Sequence, residues 1–251
     1  MEFIEKYFLW FMIYSILGWI YETLICSAEQ QKFINRGFLN GPYCPIYGCG
    51  AIIDIIFLEN IRNYIILFLA GMFLTCSLEY FTSWGMEKLF HARWWDYSDR
   101  KLNINGRVCL LGGVVFGTFS VILIKFLHLI TSWFTYKISE PVLLILSLIL
   151  FISILVDAVY TVARFAKFEK KLKKLTNGMD NAIQTANQYK KVILYKISES
   201  EIYEKASAAY ISILGKINSQ ERRMILAFPR FRSTRYNDAL QKIKEAIKRK
   251  N

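Results

Sequence analysis

Residues 141–165 read PVLLILSLILFISILVDAVYTVARF, and this stretch decides the class of protein. Its only charged residues are Asp157 and Arg164. A helix rises about 1.5 Å per residue and the hydrocarbon core of a bilayer is roughly 30 Å thick, so about 20 apolar residues are enough to cross it. The stretch therefore predicts a membrane-spanning helix that leads into the last third of the chain.

Four other stretches are also apolar: Phe8–Cys26, Pro45–Leu58, Tyr64–Trp84 and Val108–Trp133. Pro45–Leu58 is short for a full crossing and follows a turn-rich run, so it is predicted either to span the membrane or to be re-entrant. The 54% hydrophobic composition excludes intrinsic disorder. We therefore predict an all-α, polytopic integral membrane protein with four to five transmembrane helices.

The positive charge of the chain is concentrated at its C-terminal end. The formal net charge is +12, yet residues 164–251 hold 21 Lys and Arg against 8 Asp and Glu, and residues 1–163 hold 11 against 12. Loops rich in Lys and Arg stay on the cytoplasmic side of a membrane. We predict a transmembrane helical domain at residues 1–165 of a multi-pass cell-membrane protein and a basic cytoplasmic tail at residues 166–251. Five spans would place the N-terminus outside, and a re-entrant second segment would place it inside.

The tail is predicted to be helical. Apolar positions continue the last span over Phe165–Leu175, and Asn177-Gly178 is expected to end that helix as a C-cap pair does. Further helices are expected at Asp180–Ile197, Ser200–Ile217 and Asn237–Lys250. The basic excess favours contact with anionic lipid headgroups, with a partner protein as the alternative. Nucleic-acid binding is the least favoured interpretation, because no recognised module accompanies the charge.

Three carboxylates lie near the predicted cytoplasmic ends of the spans: Glu22, Glu79 and Asp157. A charge in lipid costs about 2.5–3.5 kcal/mol on insertion scales, so each carboxylate is expected to face the bundle interior. Arg36 and Arg107 are the expected partners of Glu22 and Glu79, or would bind an anionic ligand. A guanidinium suits both roles because it binds carboxylate or phosphate through two hydrogen bonds.

Two turn-rich loops, residues 35–48 and 94–107, are expected to face these carboxylates. Irregular backbone at membrane depth is stable only where protein or water lines a cavity. The predicted ligand-binding cavity comprises Glu22, Arg36, Asn40, Tyr43, Tyr47, Glu79, Trp95, Asp96, Tyr97, Asn105 and Arg107. The alternative is structural: the ions pair with one another, and the Trp and Tyr side chains anchor helix ends at the membrane interface.

Three other polar residues fall in apolar stretches. Lys125 and His128 are expected to snorkel or to lie at the outer interface. Asp54 is expected either to line a cavity or to cap a helix. The 5 cysteines are odd in number and lie in or near the predicted helices, so reduced thiols are expected.

Motifs of soluble enzymes are absent from the sequence. It has no G-x-x-x-x-G-K-[ST] phosphate loop and no G-x-S-x-G elbow. The two histidines, His91 and His128, are far apart along the chain, which does not favour a zinc site. We therefore expect no ATP hydrolysis by the chain itself, no metal and no cofactor, and an enzyme is the less favoured class.

Several motifs resemble those of one known family. They are Gly18-Trp19-Ile20-Tyr21-Glu22, the run NRGFLNGPYCPIYG at residues 35–48, Glu79-Tyr80, Trp95-Asp96-Tyr97 and Asn105-Gly106-Arg107. In this order they are similar to the bacterial family named Putative ABC-transporter type IV, or CmpB-like permeases, over roughly residues 5–165. Ala227-Phe228-Pro229-Arg230, followed by Arg235-Tyr236-Asn237, resembles the ending of some members. The resemblance implies a membrane permease subunit that works with a separate ATPase.

The sequence thus predicts a permease-like membrane transport subunit with a cytoplasm-facing polar cavity for a polar or anionic ligand. Its expected partners are the lipid bilayer, a separate ATPase subunit and, as a further option, a second copy of the chain. Two alternatives stay open. One is a membrane-embedded enzyme that acts on lipid headgroups or another amphiphile, and the other is a non-catalytic membrane scaffold or regulator.

Overall fold

Long apolar helices dominate the structure, a computed structural model that describes residues 2–192 and 217–249. Four of them are long and apolar enough to cross a membrane: Phe3–Gln30, Tyr64–Phe90, Leu110–Thr135 and Glu140–Gly178. Large apolar side chains such as Phe73, Phe126 and Ile152 are exposed on their outer faces, as contact with lipid requires. The predicted all-α, polytopic fold is confirmed.

Eight α-helices are described. They are α1 (Glu2–Gln30), α2 (Pro45–Leu58), α3 (Tyr64–Phe90), α4 (Leu110–Ile122), α5 (His128–Thr135), α6 (Glu140–Val192), α7 (Ser219–Ala227) and α8 (Asn237–Arg249). A π-helical turn, Leu123–Leu127, joins α4 to α5 without a break. Two short antiparallel pairs complete the described part: β1 (Ala92–Arg93) with β4 (Arg232–Ser233), and β2 (Asn103–Ile104) with β3 (Val108–Cys109).

Helix α2 begins halfway across the bundle. The Cys44 amide donates to the carbonyl of Ser15, in the middle of α1, at 2.8 Å. Gly48 allows this approach, because a Cβ there would lie 2.4 Å from the carbonyl oxygen of Phe11. At its other end, Leu58 packs in one cluster with Trp10, near the start of α1. The loop before α2 and α2 itself therefore lead the chain from one end of the helix bundle to the other.

The tail helices α7 and α8 pack at the end of the helix bundle that lies opposite the start of α1. At the end that holds the start of α1, the Lys125 ammonium donates to the carbonyl of Ile61 at 2.6 Å. At the opposite end, the tail helices pack on the loops that follow α1 and α3. Their shared apolar core includes Ile34, Trp94, Phe165, Phe168, Leu172, Phe228, Phe231, Leu240 and Ile243. The loops and the tail thus share one end, and the prediction that this end is cytoplasmic stays a prediction.

Two predicted features of the tail are wrong. Helix α6 continues through Asn177-Gly178 to Val192, so the helix neither stops there nor starts again at Asp180. A helical glycine costs only about 1 kcal/mol relative to alanine, and the Lys and Leu residues before it favour a helix. The predicted helix at residues 200–217 lies almost wholly outside the described residues. The one expected at Asn237 is confirmed as α8, whereas α7, with a capping box between Asn218 and Glu221, was not expected.

The expectation that the His128 side chain snorkels is also wrong. Its side chain is buried inside the bundle, with Nδ1 3.0 Å from the Tyr14 hydroxyl. The ring of Trp10 packs edge-on against the imidazole, and the Trp10 indole nitrogen donates to Thr135 at 2.9 Å. Polar side chains of two neighbouring helices therefore satisfy one another in this part of the bundle.

Candidate functional site

The first loop cluster joins Glu22, Arg36 and Tyr47. The Glu22 carboxylate accepts from Arg36 Nε at 3.2 Å and from the Tyr47 hydroxyl at 2.6 Å. The Arg36 guanidinium also donates to the carbonyl of Ala227 and lies 4.3 Å from the ring centre of Phe228. The expected Glu22–Arg36 pair is present, and it connects α1 and α2 to the tail.

A second cluster fixes the same loop to α6. The Asp157 carboxylate accepts hydrogen bonds from the Asn40 amide (3.1 Å), the Asn40 side chain (2.8 Å) and the Gly41 amide (2.7 Å). The Tyr43 hydroxyl and the Thr161 hydroxyl also donate to it, at 2.8 and 3.1 Å. Asn40 and Tyr43 therefore hold the loop on Asp157, which positions the start of α2.

Arg107 binds a carboxylate that was not expected. Its guanidinium lies 2.7 Å from Glu87, which also binds Arg93 at 2.6 Å, and it donates to Ser83 at 3.2 Å. Glu87 was missed because it lies in the last turn of α3, beyond the predicted span. The backbone turn at residues 94–107 brings the pair together.

Three more predicted residues hold this second loop in shape. The Trp95 indole donates to the carbonyl of Arg107 at 3.0 Å, and the Asn105 side chain donates to the Tyr80 hydroxyl at 3.0 Å. The Tyr97 hydroxyl donates to Glu79 at 3.3 Å. Burial and the charge of Glu79 raise the pKa of Tyr97, so its hydroxyl stays protonated and continues to donate.

Asp96 connects the second loop to the tail. It accepts from the backbone and side chain of Ser98 at 3.1 and 2.6 Å and lies 2.8 Å from Arg232 of β4. Burial alone would raise the pKa of Asp96, but the Ser98 hydrogen bonds and the charges of Arg232 and Arg93 outweigh it and lower that pKa.

Arg223 of α7 was not expected to contact the first loop. Its guanidinium donates to the carbonyls of Asn35, Gly37 and Phe38 at 3.3, 3.1 and 3.2 Å. The signal that could have found it is the Gly37 turn, where the backbone has φ +126° and leaves carbonyl groups without sheet or helix partners. The tail therefore holds the loop that leads into α2.

A cavity of about 280 Å³ lies among α1, α2, α3 and α4, and we call it the bundle cavity. Its lining is mainly apolar and aromatic: Tyr14, Leu17, Gly18, Tyr21, Ile46, Tyr47, Gly50, Ala51, Asp54, Thr75, Leu78, Glu79, Phe116, Phe119, Ser120, Ile122, Leu123 and Leu127. Of the eleven predicted site residues, Tyr47 and Glu79 line it. The others form the loop clusters at one end of the bundle.

Two buried carboxylates reach the bundle cavity. Asp54 is 2% exposed and Glu79 is 6% exposed. Asp54 lies inside α2, so it lines the cavity and is not a helix cap. One oxygen of each, Asp54 Oδ1 and Glu79 Oε2, accepts no hydrogen bond from any residue that the structure describes. Such unpartnered acceptors in an apolar site are costly, and they mark where a donor would bind.

Metal ligands and thiols do not define a site in the described part of the chain. Within residues 2–192 and 217–249, no group of three His, Cys, Asp or Glu side chains is placed to hold a metal ion. All five cysteines are unpaired thiols, and four of them are at least partly buried. The chemistry available to the bundle cavity is therefore that of carboxylates, hydroxyls and aromatic rings.

A family model described as Putative ABC-transporter type IV matches residues 9–162. The chain belongs to this family. The match to the ABC-transporter type IV family includes both loops, the bundle cavity and the membrane part of α6, and it ends before α7 and α8. No curated protein and no solved structure matches the chain. The four long apolar helices and the family together make it a multi-pass membrane protein of transporter type.

Proposed function

We propose that the chain is the permease-like subunit of a membrane transporter and that its ligand occupies the bundle cavity. The observation that carries the proposal is the cavity itself, which lies among four helices at the depth where α2 begins. Transporters commonly bind substrates near the middle of the membrane, beside discontinuous helices. Membership of the ABC-transporter type IV family supports a separate ATPase as the source of energy.

In this proposal the loop clusters form a gate at the predicted cytoplasmic end. Glu22–Arg36 and Glu87–Arg107 are ion pairs between groups on different segments, and the tail contacts both loops. When the gate opens, these ion pairs would break, and their charged side chains would instead bind water or a polar group of the ligand. An anionic ligand is less well supported than a polar one, because both arginines already bind carboxylates of the chain.

The experiment uses Gly50, which lines the cavity. A Cβ at this position would have its nearest atoms at 3.6 and 3.9 Å, in Leu78 and Thr75, so Gly50→Ala fits. Gly50→Leu would extend into the cavity and reduce the space for a ligand. Cells that make the wild type, each variant or no protein are loaded with neutral, cationic and anionic fluorescent amphiphiles, and accumulation is followed over time.

We expect wild type and Gly50→Ala to change the accumulation of one class of dye and Gly50→Leu to abolish the change. Equal accumulation of every dye with and without the protein would contradict transport.

An enzyme acting on amphiphiles is the second candidate, because unpartnered carboxylates beside an apolar site can also transfer protons. That candidate predicts a changed lipid profile in cells that lack the protein, restored by wild type and not by Glu79→Gln.

A further inference from the structure

The bundle cavity combines an apolar wall with acidic groups, and the described residues that line it include no basic side chain. We propose that it binds a lipophilic organic cation, meaning an amine or quaternary ammonium group on an apolar body. Asp54 and Glu79 would be the anionic contacts. This inference rests on the proposed function, since the cation would be the transported molecule.

The two carboxylates carry the first step of the argument. Both are more than nine-tenths buried and line the cavity, and each keeps one oxygen without a hydrogen-bond partner in the described part of the chain. The hydrogen bond that Glu79 accepts comes from a neutral hydroxyl, that of Tyr97. No lysine or arginine is among the described residues that line the cavity. A positively charged ligand would therefore supply the countercharge that the wall lacks.

The remaining wall suits the apolar body of such a ligand. Aromatic rings of Tyr14, Tyr21, Tyr47, Phe116 and Phe119 line the space. Ring faces attract organic cations, most strongly where water is excluded. Aliphatic side chains cover most of the other surface, so a ligand without an apolar body would leave that surface without contacts.

Size and charge disfavour a metal ion and an anion as the ligand. A volume of about 280 Å³ suits a small organic molecule, near the lower end of ligand pockets at about 300 Å³. A bare metal ion would need several oxygen ligands close together, and the described residues hold no such group. An anion would face two carboxylates of the same sign, which like-charge repulsion disfavours.

The test uses the full chain, purified in detergent without an ATPase, and three probes of similar shape. Benzyltrimethylammonium is the cation, 2,2-dimethylpropylbenzene is its neutral isostere, and phenylmethanesulfonate is the anion. Equilibrium dialysis with radiolabelled probes gives the dissociation constants. We expect the cation to bind at least about tenfold more tightly than the neutral isostere, since one charge-assisted contact provides that factor. We expect no saturable binding of the anion.

Variants then locate the site. Asp54→Asn and Glu79→Gln keep the side-chain volume and are each expected to weaken binding of the cation about tenfold, with little effect on the neutral isostere. Glu29→Gln removes an exposed carboxylate of α1 outside the cavity and is the matched control, with wild-type affinity expected. Gly50→Leu is expected to abolish binding of both probes. Thermal melting of each variant shows whether it is folded.

Three results would overturn the inference: equal affinity for the cation and its neutral isostere, tighter binding of the anion, or full cation affinity in both acidic variants. The comparison of probes on the wild type stands even if a variant does not fold. Binding of the cation without any dye movement in cells would refute transport and leave the site intact. Dye movement without selectivity for cations would refute the ligand class and leave transport intact.

Discussion

Asp157 allows the sharpest test of how the first loop is held. Its carboxylate accepts five hydrogen bonds, of which three come from Asn40 and Gly41 and one each from Tyr43 and Thr161. Replacement by alanine removes every acceptor at once. Two backbone amides, those of Asn40 and Gly41, would then lose their partner inside the protein.

The expected cost follows from these contacts. A hydrogen bond to a charged group contributes about 1.5–3 kcal/mol, and bonds that share one acceptor are not additive, so we expect a loss of about 3–6 kcal/mol for Asp157→Ala. Asp157→Asn keeps one acceptor oxygen and is expected to lose roughly half of that. Since about 1.4 kcal/mol corresponds to a factor of ten, the loop should open at least about a hundredfold more often in the alanine variant.

Cys44 reports on loop opening. Its thiol is 7% exposed and lies 3.8 Å from the carbonyl oxygen of Arg36, beneath the loop. Labelling of Cys44 by maleimide follows how often the loop opens, so it should be slow in wild type and at least about a hundredfold faster in Asp157→Ala. Labelling of the same proteins with Cys44→Ser gives the contribution of the other cysteines, which is subtracted. Glu29→Ala is the control for the loss of a carboxylate elsewhere. Wild-type labelling of Cys44 in Asp157→Ala, with the melting temperature unchanged, would refute this account of the loop.

Two further predictions concern the close helix contact and the attachment of the tail. Gly48→Ala should lower the free energy of unfolding by about 1–3 kcal/mol, because the new methyl group meets the backbone of α1, which cannot move aside. Gly50→Ala is the control and should leave stability nearly unchanged, since its methyl group has room. Thermal melting in detergent measures both. Asp96 has a lowered pKa in the folded state, so its stabilising contribution is complete above the ordinary value of 3.8 and is lost as pH falls through the lowered value. The difference in tail proteolysis between wild type and Asp96→Asn should therefore be present at neutral pH and disappear only below about pH 4. A difference that disappears near pH 6 would contradict the assignment.

The membrane helices could be predicted from the sequence because a long apolar run has few alternatives in a bilayer. The Glu22–Arg36 pair could also be predicted, since the Gly- and Pro-rich loop after α1 places Arg36 close to the end of that helix. The extent of α6 could not, because Asn177-Gly178 has the composition of a cap and only the surrounding helix decides its conformation.

The bundle cavity was harder to predict than the loop clusters. Asp54 and Glu79 are 25 positions apart in sequence, and only the packing of α2 against α3 brings both to one space. The loops are recognisable in the sequence because Gly, Pro, Asn and Arg are dense there, yet most of their polar side chains bind one another in the structure. The two cavity carboxylates that keep an oxygen without a hydrogen-bond partner among the described residues, Asp54 and Glu79, lie in stretches of mainly apolar sequence.

The uninterrupted length of α6 has a mechanical consequence. At about 1.5 Å per residue its 53 residues extend about 80 Å, more than twice the thickness of the hydrocarbon core. From Asp157, where the first loop is attached, about 50 Å of helix lead to Val192. A tilt of about 10° at that attachment would displace the far end by about 9 Å. Because Phe165, Phe168 and Leu172 pack against α7 and α8, and the tail that holds these helices in turn contacts both loops, a tilt of α6 would also pull on the loops.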